Sequence, residues 1–484
     1  MHHLARAGRN IVLKTMGEIL PRLSLMALFI IAARNLGSAD FGRFNYALNL
    51  AGLALVGMDL GLNLLLIREV ARRPAELGRW LGSLLVIKLG LAGLIIAGLG
   101  LALTGLGEDQ VRLVLAVAAM QALWGLAELG AAGLSASQRM DQEALAKNLA
   151  RLTALVLAGA LLWAGAGLWG LVIGLAGGNL VAALGCLGLV RRLMPWRVGL
   201  DRAFLGSLIK NGLPLALTGV FTLIYSRVDV VMLPALGRPW PEVGWYTAAV
   251  RVTDALAILA ALVAAALLPV LSDLAGRRAA EFKALYRQGM SLVLLLGLPL
   301  AVGLWAQRQA VCDLLYGPGY APSASAFLWL APCLGLIFIN YLQLNTLYAL
   351  GRQRLTAWSA GLALLVNVLL NWLLIPIHGY LAAAAATLAG ELVLVLVNAW
   401  CLGRAAGLPG PWSLAGRPAA ATAMMGLFLW LEPGWCLGLV IPLAAAVYLG
   451  AALALGALRP AELRQLAAGW RGRGGVTGAG GAGS

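Results

Sequence analysis

Leu89–Gly107 reads LGLAGLIIAGLGLALTGLG, nineteen positions without one charge. At about 1.5 Å of rise per residue, such a run covers nearly the whole ~30 Å hydrocarbon core of a bilayer. Lipid offers the backbone no hydrogen-bond partner except its own helix, so the stretch predicts a transmembrane helix. It has company. Phe44–Ile67 carries a single charge, Asp59, and Gln288–Gln307 carries none. Across the 484 residues, 61% are hydrophobic and 12% are charged, with a mean hydropathy of +0.87. Soluble domains hold about a quarter charged residues. The fold class is therefore an all-α polytopic membrane protein. The 61 glycines would weaken the helices of a soluble protein, but in a bilayer they let helices approach closely. Gly174 and Gly178, and the group Gly90, Gly93, Gly98 and Gly100, are the candidate contact positions.

The formal net charge of +16 lies in short loops between apolar spans rather than in one basic domain. That is the cation bias of a membrane protein, and it argues against nucleic acid as a partner. No cleavable signal peptide is expected: His2, His3, Arg6, Arg9 and Lys14 run straight into a span, as a basic amphipathic helix on the cytoplasmic face. Cys186, Cys312, Cys333, Cys401 and Cys436 stand far apart and read as packing residues. With His2, His3 and His378 they match no metal-site spacing.

About fourteen spans are predicted. Six lie near 17–37, 43–65, 80–104, 111–134, 148–165 and 168–190. Six more lie near 208–235, 243–270, 289–307, 325–349, 356–376 and 379–402, and a last pair near 416–431 and 435–457. With the N-terminus inside, 28 of the 36 Lys and Arg fall on inner segments and five on the outer side or its margin. Both termini are thus expected in the cytoplasm. The chain divides into a six-helix bundle at 1–190, a second at 191–405, a helix pair at 406–458 and a Gly-rich tail at 459–484. An internal repeat supports the two bundles. Leu20-Pro21 precedes Arg34 by the same interval that separates Leu213-Pro214 from Arg227. Phe41-Gly42-Arg43-Phe44-Asn45-Tyr46-Ala47 aligns with Val243-Gly244-Trp245-Tyr246-Thr247-Ala248-Ala249, and Gly178-Asn179-Leu180-Val181 with Gly390-Glu391-Leu392-Val393. Six spans per half put the halves in parallel, with a path between them.

The chain holds no phosphate-binding GxxxxGK[ST] loop, and no catalytic set stands on an outer loop, so neither a built-in nucleotide engine nor an enzyme is expected. No cofactor and no metal site is expected. What remains is charge inside spans, where each ionisable group costs about 3 kcal/mol on insertion scales and is a candidate by default. Arg34, Lys88, Arg227 and Arg251 are candidates for a cationic cavity that holds phosphate or acidic sugar, since guanidinium forks match phosphate oxygens. Asp59, Glu128, Asp229, Asp254 and Glu391 are candidate ion-coupling carboxylates. The plainer reading is structural: Arg227 with Asp229 and Arg251 with Asp254 as bridges pinning helices, Lys88 reaching to the cytoplasmic edge, the other acids as helix packing. Asn367 and Asn371, one turn apart, read as polar glue between helices. Trp80, Trp163, Trp169, Trp240 and Trp245 read as interfacial anchors.

Further runs carry a resemblance: Ala33-Arg34-Asn35-Leu36-Gly37, Met58-Asp59-Leu60-Gly61-Leu62-Asn63, Tyr225-Ser226-Arg227-Val228-Asp229, Leu315-Tyr316-Gly317-Pro318-Gly319-Tyr320, and Asn367 to Asn371 followed by Leu374-Ile375-Pro376. With Leu20-Pro21, Phe41-Gly42 and Val243-Gly244-Trp245-Tyr246, their order over roughly residues 10–405 resembles the Wzx-type oligosaccharide flippases. These are the polysaccharide-transporter branch of the multidrug/oligosaccharidyl-lipid/polysaccharide exporter superfamily. The resemblance implies an undecaprenyl-diphosphate-linked oligosaccharide as substrate, alternating access of two six-helix bundles, and a place in the bacterial cytoplasmic membrane. Polysaccharide polymerase and glycosyltransferases are the protein partners it suggests beside membrane lipids. An ion-coupled antiporter of the same fold, or a non-transporting scaffold of a polysaccharide-synthesis complex, are the alternatives.

Overall fold

The computed structural model describes residues 2–59, 61–105, 107–200, 221, 223–431 and 434–458, with side chains from Ser24 onward. Among these residues there is no strand, and eleven helices are long and apolar enough to cross a membrane. Helix α1 (His2–Asp59) contains the first predicted span and most of the second, whose end falls in α2. Where a loop was expected between them it breaks only at Gly37, whose φ of 73° an L side chain rarely adopts. Its basic start is helical, but those side chains lie outside the description, as do those of Leu20-Pro21; Leu213-Pro214 and the tail from 459 lie outside the described residues. Then come α2 (Leu62–Arg72), α3 (Leu77–Ala102), α4 (Glu108–Ala136), α5 (Met140–Trp163) and α6 (Gly167–Arg191). Helix α7 (residues 223–235) is the described part of the seventh predicted span. Helices α8 (Trp240–Leu274), α9 (Ala279–Ala306), α10 (Arg308–Tyr316), α11 (Ser323–Ala349), α12 (Gln353–His378), α13 (Tyr380–Ala406), α14 (Gly416–Leu431) and α15 (Leu437–Ala454) complete the chain. At 16 residues α14 is about 24 Å long, short for a full crossing.

Two compact units emerge. The first takes Met1–Ala255, Cys312–Ala326 and Ala360–Gly390; the second takes Leu256–Val311, Phe327–Ser359 and Glu391–Ser484. In the first, α6 lies against α5 through its glycines. A Cβ added at Gly174 would sit 2.3 Å from Ala158, and one at Gly178 would sit 2.5 Å from the Ala154 methyl. Small residues here allow the backbone contact that drives association in lipid. Gly90, Gly93 and Gly98 differ from expectation, with nothing within 4 Å of an added Cβ, and Gly100 meets only Leu115. They lie along a face of α3 where Leu94 and Leu101 are exposed, as suits lipid. In the second unit α9 packs on α11 at Gly297, against the Phe338 ring. The C-terminal pair packs on α9, where the Tyr448 hydroxyl donates to the Leu295 carbonyl at 2.7 Å.

Of the expected tryptophan anchors, Trp163 and Trp169 are exposed. Trp80 is instead buried in the core formed by α2, α3 and α4, because its position on α3 faces Leu65, Leu66 and Leu129 rather than the rim. Four of the five cysteines are buried and all are free thiols; Cys436 is exposed.

Candidate transport site

Within the first unit, two of the segments aligned in the sequence meet. Gly42 of α1 and Gly244 of α8 face each other at a helix crossing. A Cβ at Gly42 would lie 2.2 Å from the Trp240 carbonyl oxygen, and one at Gly244 would lie 2.0 Å from that of Ser38. Only glycine permits this approach. Around the crossing the chain is latched by backbone acceptors. Arg34 donates through Nε to the Leu315 carbonyl at 2.8 Å and through Nη2 to that of Leu314, satisfying the C-terminal end of α10. Tyr320 donates to the Ala33 carbonyl at 3.0 Å, Tyr316 to Ala248 at 3.0 Å, and the Trp245 indole to Gly319 at 3.2 Å. Glu242 accepts both a fork from Arg238, at 2.6 and 3.1 Å, and the Tyr380 amide at 3.1 Å. Gly379 makes room for this clamp, since its Cβ would fall 2.2 Å from the Glu242 carboxylate. Arg34 is thereby placed as an exposed cap on the last turn of α10.

The in-span charges sort into separate clusters. Lys88, fully buried on α3, donates to Asp59 at 2.6 Å and to Asn63 at 3.0 Å. It does not reach toward an edge: the Asp59 carboxylate at the end of α1 is the nearer stabiliser of a charge held in lipid. Glu128 on α4 pairs with Lys147 on α5 at 3.0 Å, Lys147 also holds Glu143 at 3.0 Å, and Ser135 donates to Glu143 at 2.5 Å. Beside them Arg151 lies 3.8 Å over the Trp124 ring.

On α7 and α8 neither expected pair forms. Arg227 does not bridge Asp229, and Arg251 does not bridge Asp254. Residues two apart on a helix point in nearly opposite directions, so one α7 segment presents Arg227 and Asp229 to different neighbours. Arg227 approaches Asp254 at 4.0 Å, with 33% and 52% of the two side chains left uncovered. Asp229 is buried and accepts from the Tyr246 hydroxyl, from Thr387 at 3.4 Å and from the Val230 amide at 2.7 Å. Arg251 turns toward α1, donating to Asn45 at 3.1 Å and lying 4.0 Å from the Phe29 ring centre. No carboxylate pairs with it among the described residues.

Glu391 belongs to the second unit, where it accepts from Asn340 at 2.5 Å. Asn371 donates to Asn367 at 3.0 Å along α12, so the two bond each other within one helix; Asn367 Nδ2 and Asn371 Oδ1 find no partner. No group of three metal-ligating side chains occurs among the described residues. Sequence reading alone missed Asn45, Phe29, Tyr246 and Thr387 as partners of the charges. Asn45 and Tyr246 were visible as members of the repeated motif, which marked them as positions but not as ligands.

A lipid-embedded helical bundle with charge clusters buried in it has the architecture of a transporter, and comparison with known proteins agrees. Residues 7–275 match the polysaccharide biosynthesis protein family, and residues 148–440 match the lipid II flippase MurJ family. The chain belongs to this flippase group of the multidrug/oligosaccharidyl-lipid/polysaccharide exporter superfamily. No curated protein matches it by sequence search. Among solved structures it is similar to the lipid II flippase MurJ in an inward closed conformation, with a TM-score of 0.74 at 14% identity, covering 91% of this chain and 98% of that one. A multidrug resistance MATE family transporter in its inward-facing conformation aligns with a TM-score of 0.66 at 15% identity, over 80% and 95% of the two chains. A Pyrococcus furiosus transporter of the same superfamily, described as having a binding pocket of reverse polarity, aligns at 0.56 and 17%, over 83% and 95%. The fold is that of a multi-pass membrane flippase or transporter.

Proposed function

We propose that the chain is a flippase that carries a polyprenyl-diphosphate-linked oligosaccharide from the cytoplasmic to the outer leaflet of a bacterial inner membrane, for surface polysaccharide assembly. The two six-helix bundles, 1–190 and 191–405, exchange access to a path between them, with 406–458 as an added pair and both termini in the cytoplasm. Arg251 carries this reading. It is a cation held in a span by an amide and an aromatic face, with no described carboxylate within ion-pair distance, and Arg227 stands close by on Asp254. A diphosphate supplies the missing negative charge, and a guanidinium fork suits its oxygens. The isoprenoid tail stays in the bilayer while the headgroup moves. Latches at Gly42–Gly244, Arg34 and Tyr320 close the outer end, and loading occurs from the cytoplasm. Similarity to a lipid II flippase supports a lipid-linked cargo.

Buried Asp229, with hydroxyls from Tyr246 and Thr387, supports coupling to a cation gradient, and it is the feature that an ion-coupled antiporter would share. Reconstitution in liposomes tests the choice. Translocation of an undecaprenyl-diphosphate-linked oligosaccharide is expected. Gradient-driven movement of small cationic amphiphiles without lipid-linked cargo would establish the antiporter instead. Binding of a polysaccharide polymerase with no translocation of either would establish the scaffold.

A further inference from the structure

Beyond α6 the chain that joins the two halves does not leave the surface at once. Residues 195–200 run without helix along the first turns of α3, where Arg197 N donates to the Gly78 carbonyl at 3.1 Å and Gly199 N to Ser83 Oγ at 2.9 Å. The contact is close enough to demand glycine on α3. An added Cβ at Gly78 would meet the Pro195 oxygen at 2.2 Å, and one at Gly82 the Arg197 oxygen at 2.5 Å. Leu193, Met194 and Trp196 pack on the core of α2, α3 and α4. The strap is therefore a fixed part of the first unit.

Where the end of α6 turns into this strap lies a hollow of about 570 Å³, lined by Arg191, Arg192, Leu193, Met194, Pro195 and Trp196. Its size falls within the range of small-ligand sites. Two features ask for an anion. Arg191 and Arg192 are exposed and no described carboxylate pairs with either, whereas Arg68, Arg72 and Arg73 nearby in sequence to α3 each have a Glu within 4 Å. The Trp196 indole N–H is buried without a hydrogen-bond partner, which native structures rarely leave so. The Arg191 guanidinium stands 5.9 Å from the Trp196 ring centre, and both residues line the hollow. Arginine beside tryptophan at the end of a spanning helix is the composition of the membrane–water interface, and anionic headgroups concentrate on the cytoplasmic side.

We infer that this hollow binds the phosphate of a lipid headgroup, outside the transport path. The inference takes only the inside-facing orientation from the reading above. Two sources share the chemistry: a resident anionic phospholipid, and the diphosphate of the cargo lipid before it enters the path. The full-length protein in detergent is titrated with phosphatidylglycerol and, separately, with undecaprenyl diphosphate, and bound lipid is counted by native mass spectrometry. Arg191→Gln with Arg192→Gln should weaken retention on the order of tenfold. Trp196→Phe, which keeps the ring and removes the N–H, should weaken it by a smaller factor. Loss for phosphatidylglycerol alone assigns the site to a resident lipid; loss for undecaprenyl diphosphate alone assigns it to the cargo; parallel loss assigns it to either phosphate. Retention of both lipids unchanged in both variants overturns the site. Arg251→Ala should retain phosphatidylglycerol as the unaltered protein does, so a failed transport reading and a failed headgroup site give different results.

Discussion

Lys88 and Arg251 are both cations on spanning helices of the first unit, and each donates to an asparagine, Asn63 in one case and Asn45 in the other. Their difference is the third group. Lys88 has the Asp59 carboxylate at 2.6 Å, while Arg251 has the Phe29 ring at 4.0 Å. An amide oxygen satisfies a donor without cancelling its charge. An aromatic face attracts a cation through its quadrupole and uses none of its N–H groups. Lys88 is thus half of an ion pair that ties α3 to α1, whereas Arg251 has no described carboxylate within ion-pair distance. Finding a cation inside a span does not identify a binding site; the balance of charge around it does.

The largest effect should come from Arg251→Ala. Losing a charge-assisted contact to a diphosphate costs about 1.5–3 kcal/mol, or tenfold to a hundredfold in transport. Translocation in proteoliposomes should fall by that factor while the melting temperature in detergent stays close to that of the unaltered protein, and Arg251→Lys should recover part of it. Undiminished transport would remove Arg251 from the path. At Lys88 the outcome should be reversed in kind. Asp59→Asn leaves an ammonium buried with only an amide, and removing one member of a buried pair costs 3–5 kcal/mol in dry interiors. Asp59 keeps 45% of its side chain uncovered, so the cost should be nearer about 2 kcal/mol. Thermal unfolding should show this loss, and Asp59→Leu with Lys88→Leu should restore most of it. If the double variant instead folds well and fails to transport, Lys88 belongs with Arg251.

The spans were legible because lipid imposes one requirement, a helix of apolar residues, on every crossing segment; the quoted run from Leu89 to Ala102 lies inside α3. The charges were legible as charges for the same reason. Their partners were not. Asp59 and Lys88 are 29 positions apart, and no spacing rule joins them before the helices are packed. Spacing even misdirected the reading at Arg227-Val228-Asp229, where nearness in sequence means opposite faces. The glycines show the same limit: Gly174 and Gly90 look alike in composition, yet one lies against Ala158 and the other meets nothing. Gly42 and Gly244, by contrast, stand at matching places in the two quoted motifs, and they meet at a helix crossing.

Two smaller tests sharpen the contrast. Tyr246→Phe removes one donor from Asp229 and leaves Thr387 and the Val230 amide in place. A single hydrogen bond to a charged group, partly replaced, is worth about 1 kcal/mol. The variant should unfold at a slightly lower temperature, and its transport should depend less on the cation gradient if Asp229 couples the two. The smallest stability change should follow Asp254→Asn. At 4.0 Å and half uncovered, the Arg227–Asp254 pair is the kind of loose bridge that contributes within about 0.5 kcal/mol. Its removal should therefore leave folding unchanged. It would also take from Arg227 its nearest counter-charge, and from Arg251 a carboxylate that acts on it from beyond ion-pair distance. Cargo-lipid affinity should then rise a few-fold, because a ligand phosphate no longer competes with a carboxylate, and release should slow. A melting temperature that falls while affinity stays constant would make Arg227–Asp254 a structural bridge like Lys88–Asp59, and would leave Arg251 as the lone cation assigned to cargo.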